Sequence, residues 1–417
     1  MIVRPTQLVA ALIAGFAMVG AAQAQKAEVI HWWTSGGEAA AIKEFANMYN
    51  KLGGSWQDNP VAGGGGGAAR TVIINRMQGG DPPTAAQFNY SNQYREAITA
   101  GLLNNLDDLA KKENWDAALP DSIKTSIKVN GSYYAVPVNL HMPHWVWSNK
   151  AVLAKAGVTK DPQNFAEVLA AMDQVKAKVP GVVPLALGGQ GWQEAIMFQD
   201  VLLANGGKDL WLKVYKDKDL SSKEFRKTLE DFKKLKGYVD AGSPGRDWNL
   251  ATAMVIEGKA AFQFMGDWAK GEFINAGKAH GKDFGCALVA GPTTPYIIGG
   301  DVFVFPKSDK PGVKEAQTKL AAMMYSKEGQ VAFNNKKGSI PIRTDVDLSK
   351  VDACAATGVK ALKERRLLES QDQLMSPDAN GAMNDAISKF WNSDQSVDDA
   401  LKAMQVAVNN KKGSIPI

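Results

Sequence analysis

Apolar and polar positions along this chain keep switching between a short strand-like run and a helical stripe. Val29 and Ile30 form a strand candidate, and Ile42, Phe45, Met48, Tyr49 and Leu52 recur at helical spacing just after it. The predicted unit is strand, loop, helix. Gly53-Gly54 suits a left-handed helix end, Trp56 to Gly67 reads as a loose surface loop, and Arg70 to Gln78 reads as the next helix. A second unit follows the turn Gly79-Gly80-Asp81-Pro82-Pro83. It comprises a strand from Thr84 to Asn89, a polar loop and a helix ending near Gly101. Asn130-Gly131 between apolar runs predicts a β-hairpin.

From Pro137 to Trp147 two prolines frame an extended segment, and a new strand-helix series starts beyond it, which is the pattern of a crossover between two lobes. Helices are expected around Lys150 to Ala156 and Phe165 to Lys178, and a strand from Val182 to Leu187. Gly188-Gly189-Gln190-Gly191-Trp192 then opens a helix ending at Gly206-Gly207. Ser221-Ser222-Lys223-Glu224 has capping-box spacing before a basic amphipathic helix. Ala251 to Gly258 reads as helix, Lys259 to Met265 as a strand running into Gly266-Asp267-Trp268, and Gly285 to Gly291 as a strand. Ile297 to Val304 reads as one further strand with Asp301 at its mouth, followed by helices at Lys314 to Tyr325 and Glu328 to Asn334. Gln330 to Ile342 recurs as Gln405 to Ile417 with a single change, Phe333 to Val408. A segment written only twice is no solenoid, and the terminal copy is expected to have no binding role.

Composition narrows the class. A chain of 417 residues, 45% hydrophobic, supports two or three domain-sized units. Met1 to Ala24 carries one charge, Arg4, an apolar run and Ala22-Gln23-Ala24, the signature of a cleavable signal peptide. No later apolar run reaches the ~20 residues of a membrane span, so a soluble periplasmic protein is expected. Net charge is +5 with the basic residues scattered, which excludes a nucleic-acid groove. Cys286 and Cys354 in an exported chain favour a disulfide, with two buried free thiols as the alternative. The glycines Gly63 to Gly67 lack the Lys-Ser/Thr pair of a phosphate loop, and no metal-spaced Cys or His motif occurs.

The loop His31-Trp32-Trp33-Thr34-Ser35-Gly36-Gly37-Glu38 sets two indoles beside the free amides of a helix start and a carboxylate. Such groups stack on the apolar face of a pyranose and hydrogen-bond its hydroxyl belt, so a sugar site is expected. Ligands collect at the carboxyl ends of strands. That rule adds Asn89, for which helix capping is an equal alternative, and Trp192. Several of the 11 tryptophans must be core, Trp147, Trp211 and Trp391 among them, and His144 and His280 read as structural. Glu38 with Asp301 also admits a glycosidase reading, but no other catalytic signature accompanies them. A binder of a charged solute would call for a salt bridge rather than paired indoles.

Five stretches together resemble the extracellular solute-binding proteins of carbohydrate ABC importers, in their glucose-binding and mannose-binding branch. They are His31 to Glu38, Gly79 to Pro83, Gly266-Asp267-Trp268, Gly299-Gly300-Asp301-Val302-Phe303 and Lys337 to Arg343, and the resemblance runs from about Val29 to Trp391. It implies an α/β chain with the two-lobed periplasmic binding protein fold of type II, its central sheets flanked by helices and a hinge between the lobes. Residues 1–24 would be the signal peptide, 25–138 with 292–340 the first lobe, and 139–291 with 341–417 the second. It further implies a monomer without cofactor that holds a glucose-like or mannose-like monosaccharide in the cleft and delivers it to a membrane permease. Trp32, Trp33, Glu38, Trp268 and Asp301 are the expected contacts, with His141, Asn89, Trp192 and Asn380 as further candidates. Trp268 and one of Trp32 and Trp33 would sandwich the ring, while Glu38 and Asp301 accept from its hydroxyls. The chain departs from the family pattern at Phe88-Asn89-Tyr90, where a basic side chain is expected, and at Met375 to Asn380, which has no histidine.

Overall fold

The computed structural model describes residues 25–409 apart from 91, 292–293, 344, 348–351 and 365. The expected signal peptide, 1–24, and the last part of the terminal repeat, 410–417, lie outside the described residues. In chain order the strands are β1 (Gln25–His31), β2 (Gly54–Pro60), β3 (Ala85–Asn89), β4 (Lys128–Val129), β5 (Ser132–Tyr133), β6 (Ala135–Pro137), β7 (Trp145–Asn149), β8 (Val183–Leu185), β9 (Ala260–Met265), β10 (Phe284–Leu288), β11 (Tyr296–Ile298), β12 (Asp301–Val304) and β13 (Leu367–Glu369). Two helices are labelled here, α1 (Gly36–Lys51) and α2 (Gly67–Gln78).

Two sheets organise the chain. The first has the order β2-β1-β3-β12-β6, with β1 parallel to β2 and β3 and with β12 antiparallel to β3 and β6. The second has the order β10-β7-β9-β8, in which β7 runs antiparallel to both neighbours. Val29, Ile30 and His31 are all buried, as a strand inside a covered sheet requires. Asn130 and Gly131 both take positive φ, 50° and 85°, and close the expected hairpin between β4 and β5.

The chain leaves the first sheet after β6 and enters the second at β7, as the two prolines suggested. Two other segments cross beside it. Leu140 and Ile340 exchange backbone hydrogen bonds at 2.8 and 3.0 Å, and His141 and Gly299 do so at 3.0 Å each. Three crossing strands are therefore stitched together beneath the space between the sheets. Cys286 on β10 and Cys354 on the helix Ala353–Lys363 form a disulfide, Cα–Cα 6.2 Å, which resolves the open alternative. Closing that loop is worth roughly 2 to 4 kcal/mol.

Three expectations need correction. Gly54 to Pro60 is a strand, paired with β1 along its whole length, where the sequence predicts a loop from Trp56 onward. Its side chains are mostly polar and half-buried or exposed, because an edge strand needs no continuous apolar run. Ile297 to Val304 is not one strand. Gly299-Gly300 breaks it, sending β11 to pair with β13 and β12 into the first sheet. A Cβ on Gly300 would overlap the Tyr90 ring and lie 2.6 Å from the Asn139 carbonyl oxygen, so only glycine lets the chain turn there. Gly63 to Gly67 is not a free surface loop either, because it packs against Trp32 and Trp192.

Candidate functional site

A cavity of about 830 Å³ lies between the two sheets. All nine residues singled out from the sequence line it: Trp32, Trp33, Glu38, Asn89, His141, Trp192, Trp268, Asp301 and Asn380. They come from both lobes and from the crossing segment, so no local pattern could have assembled them.

The buried end is built on charge. β1 ends at His31, whose Nδ1 accepts from the Trp33 amide at 3.2 Å while Nε2 donates to Asp58 at 3.0 Å. That holds the tryptophan loop in place. The Trp32 amide donates to Gln87 Oε1 at 3.1 Å, and Gln87 Nε2 donates to Asp301 Oδ1 at 3.0 Å. Asp301, at the start of β12, also accepts from Asn89 Nδ2 at 3.0 Å and Asn139 Nδ2 at 2.8 Å, with His141 Nδ1 3.5 Å away. Burial opposes its ionisation, yet His141, Lys337 and Asn139 hold the carboxyl below its usual range. With both oxygens so engaged, Asp301 organises the wall. It ties β3, β6's outgoing chain and His141 to one point.

Glu38 sits in the first turn of α1, where the helix dipole favours a carboxylate. Its Oε1 accepts from Lys337 Nζ at 2.9 Å, and the residue lines the cavity. Burial pushes the Glu38 carboxyl up against the pull of Lys337. Burial pulls Lys337 down, but Glu38, Asp301 and Asp267 outweigh it and raise the ammonium. Lys337 ends the helix Lys327–Lys337, which Gly338 closes at φ +90°. Gly37, Gly271 and Gly338 let the backbones of three helix ends touch here. A Cβ on Gly37 would fall 2.5 Å from the Gly271 carbonyl carbon, and one on Gly338 would meet the backbone of Asp267 and Gly271. This contact brings Lys337 and Trp268 to the same wall.

Trp268 starts the helix Trp268–Asn275 and is half-buried. Its ring meets His141 edge-on, centroids 5.1 Å apart, and Trp192 at 6.4 Å. Trp33 is 1% exposed and packs on Phe333 and Phe303 at 5.0 and 5.8 Å. Lys337 Nζ lies 5.7 Å from the ring centres of both Trp33 and Trp268. A lysine ammonium thus stands beside the two indoles expected to clasp a ring, and Trp268 with Trp192 offers more open aromatic surface than Trp32 or Trp33.

The exposed end is built on bare backbone. Gly66, at φ +73°, leaves room for Trp32, whose ring a Cβ would approach to 2.7 Å, and Gly64 and Gly65 lie against Trp192. Trp192 Nε1 donates to Gln190 Oε1 at 2.7 Å. Arg70, on α2, donates to the Gly65 carbonyl at 2.7 Å, with its guanidinium carbon 5.8 Å from the Trp32 ring centre. Asn380 donates to Asp372 across the facing wall.

Lys337 and Asp267 stand in two of the family-like stretches with no role expected of either from sequence. Asp267 Oδ2 accepts from the Met142 amide at 3.1 Å, so it pins the crossing segment, and its Oδ1 is buried without a partner. Burial pushes this carboxyl up to about 6 despite His141 and Lys270 nearby. The signal was the Gly-Asp-Trp and Lys-Gly-Ser pattern itself. His144, read as structural, is fully buried against Asp200 at 3.1 Å, outside the cavity lining.

Comparison with known proteins adds the relatives. The profile described as bacterial extracellular solute-binding protein matches residues 33–331. A "Probable sugar-binding periplasmic protein" of Brucella melitensis biotype 1 is 42% identical over 415 residues, covering 96% of each chain. Among solved structures, the solute receptor AcbH, described with an exclusive preference for β-D-galactopyranose, superposes with a TM-score of 0.75 at 19% identity, covering 92% of this chain and 97% of its own. T. maritima MalE3 bound to maltose gives 0.75 at 17%, covering 92% and 98%. At such identities these two establish the fold alone, an α/β chain in two lobes.

Proposed function

The chain belongs to the bacterial extracellular solute-binding proteins, and from that premise we propose that it is the periplasmic sugar-binding component of an ABC importer, holding a glucose-like or mannose-like hexose in the interlobe cavity. The observation that carries this reading is the shared lining. Half-buried indoles of Trp268 and Trp192 stand beside Glu38, His141, Asn89 and Lys337 on one cavity. Aromatic faces take the C–H surface of a pyranose, and the rim groups take its hydroxyls. Each charged hydrogen bond of that kind is worth roughly 1.5 to 3 kcal/mol. Glu38 and Lys337 are the charged groups best placed to choose among hydroxyl patterns, while Asp301 holds the residues around them.

Two lobes, 25–138 with 292–340 and 139–291 with 341–417, would close about the stitched crossing strands. The closed form would be what a membrane permease recognises, and residues 1–24 would direct export to the periplasm. The glycosidase reading of Glu38 and Asp301 is not carried forward. Family members are binding proteins, and Asp301 is committed to Gln87, Asn89 and Asn139.

The volume of the cavity, about 830 Å³, exceeds that of one pyranose and favours a second reading in which a disaccharide fits. A thermal-shift panel of hexoses, pentoses, disaccharides and charged solutes tests both. Saturating ligand at a thousandfold excess over Kd stabilises by about 4 kcal/mol. A response to glucose or mannose supports the hexose reading. Silence towards every sugar overturns it.

A further inference from the structure

We infer that this cavity selects neutral sugars against their acidic counterparts, through an excess of fixed negative charge on its wall. The inference rests on the sugar reading above and narrows its substrate class. Among the described residues five carboxylates line the cavity, Glu38, Glu96, Asp247, Asp301 and Asp372, against two permanent cations, Arg70 and Lys337. Counting His141 as charged still leaves the wall negative.

Both cations stand among acidic neighbours. Lys337 Nζ is bonded to Glu38 Oε1 at 2.9 Å and also feels Asp301 and Asp267. Arg70 is turned to the Gly65 carbonyl at 2.7 Å and to the Trp32 ring, with Asp372 as its acidic neighbour. Asp301 accepts from three neutral amides, lies 3.5 Å from His141 Nδ1 and shares Lys337 with Glu38. Asp247 accepts from Gln190 Nε2 at 2.6 Å, a neutral amide.

A carboxylate or phosphate on the ligand would enter a partly desolvated space and face an excess of like charge. Both weaken binding. Hydroxyl groups fare differently, because carboxylates and amide oxygens accept from them at full strength. The wall is thus complementary to a neutral polyol and opposed to uronates and sugar phosphates.

The test is titration calorimetry of the full chain with matched pairs that differ only by a carboxylate at C6: glucose and glucuronate, galactose and galacturonate, mannose and mannuronate. For whichever neutral hexose binds, its uronate is expected at least about tenfold weaker in about 0.01 M salt, where the Debye length is roughly 30 Å. The gap is expected to narrow in about 1 M salt, where that length is roughly 3 Å. A uronate within about threefold of its neutral partner, or a gap indifferent to salt, overturns the inference and leaves the hexose reading standing. Silence from all three neutral hexoses removes the hexose reading and this inference with it.

Discussion

At one end of the cavity Glu38 and Lys337, 7% and 2% exposed, are bonded to each other at 2.9 Å, while at the other Gly63 to Gly67 offers backbone alone to Trp32 and Trp192. The first end gets its shape from charges that must stay paired, because a buried ion without its partner is costly. The second gets its shape from side chains that are missing. A site can be rigid for either reason, and substitution separates them: the charged end should be sensitive to removing atoms, the glycine end to adding them.

The largest effect is expected at the charged end. Lys337→Met strands the Glu38 carboxylate and should cost about 3 to 5 kcal/mol in urea unfolding. Adding Glu38→Met should recover most of that loss. A double variant as unstable as the single one would place the cost elsewhere.

Next comes Asp267. Burial raises its carboxyl from 3.8 to about 6, so the folded chain holds this proton more tightly than the unfolded one. Its contribution is therefore full below 3.8 and is lost as pH rises through about 6. The difference is about 3 kcal/mol. Asp267→Asn keeps an acceptor for the Met142 amide and should flatten this fall in melts across that interval. An unchanged slope would show that Asp267 is not its source.

At the glycine end, Gly66→Ala puts a Cβ 2.7 Å from the Trp32 ring at φ +73°. A loss of about 1 to 3 kcal/mol is expected. Gly67→Ala, one residue on, has φ −58° and nothing within 4 Å, and should leave stability unchanged or slightly raised. Equal responses at the two positions would erase the contrast.

The smallest effect on folding joins the two ends. Trp268→Ala should weaken sugar binding at least about tenfold, or about 1.4 kcal/mol, while moving the melting temperature little, since the ring is half-buried. Parallel losses of binding and stability would make Trp268 a core residue.

Much of this was legible beforehand because it is local. The strand-loop-helix around Trp33, the hairpin at Asn130-Gly131 and the prolines before β7 follow from spacing and turn chemistry. β2 escaped because an edge strand of Gln57, Asp58 and Asn59 carries no apolar alternation. Lys337 escaped because a lysine in the last turn of a helix ordinarily faces water and favours the dipole. Glu38, 299 positions away, draws it inward together with Asp301 and Asp267. Trp33 was legible as a cavity residue, yet it is 1% exposed and packs on Phe333 and Phe303.

The duplicated segment separates the two kinds of information. Gln330 and Gln405 stand in the same local sequence, and both lie in helices, Lys327–Lys337 and Val397–Val408. In the first copy Gln330 is fully buried, donates to the carbonyls of Pro137 and Met324, and accepts from the Ile342 amide. In the second, Gln405 is half-buried and bonds the chain at Lys218 and Leu220, and Val406 beside it is 75% exposed. Sequence alone determined the helix, since helical hydrogen bonds and side-chain spacing involve only near neighbours. Tertiary structure alone decided how deeply each glutamine is buried and what it bonds, since burial depends on what distant segments bring against the same residues.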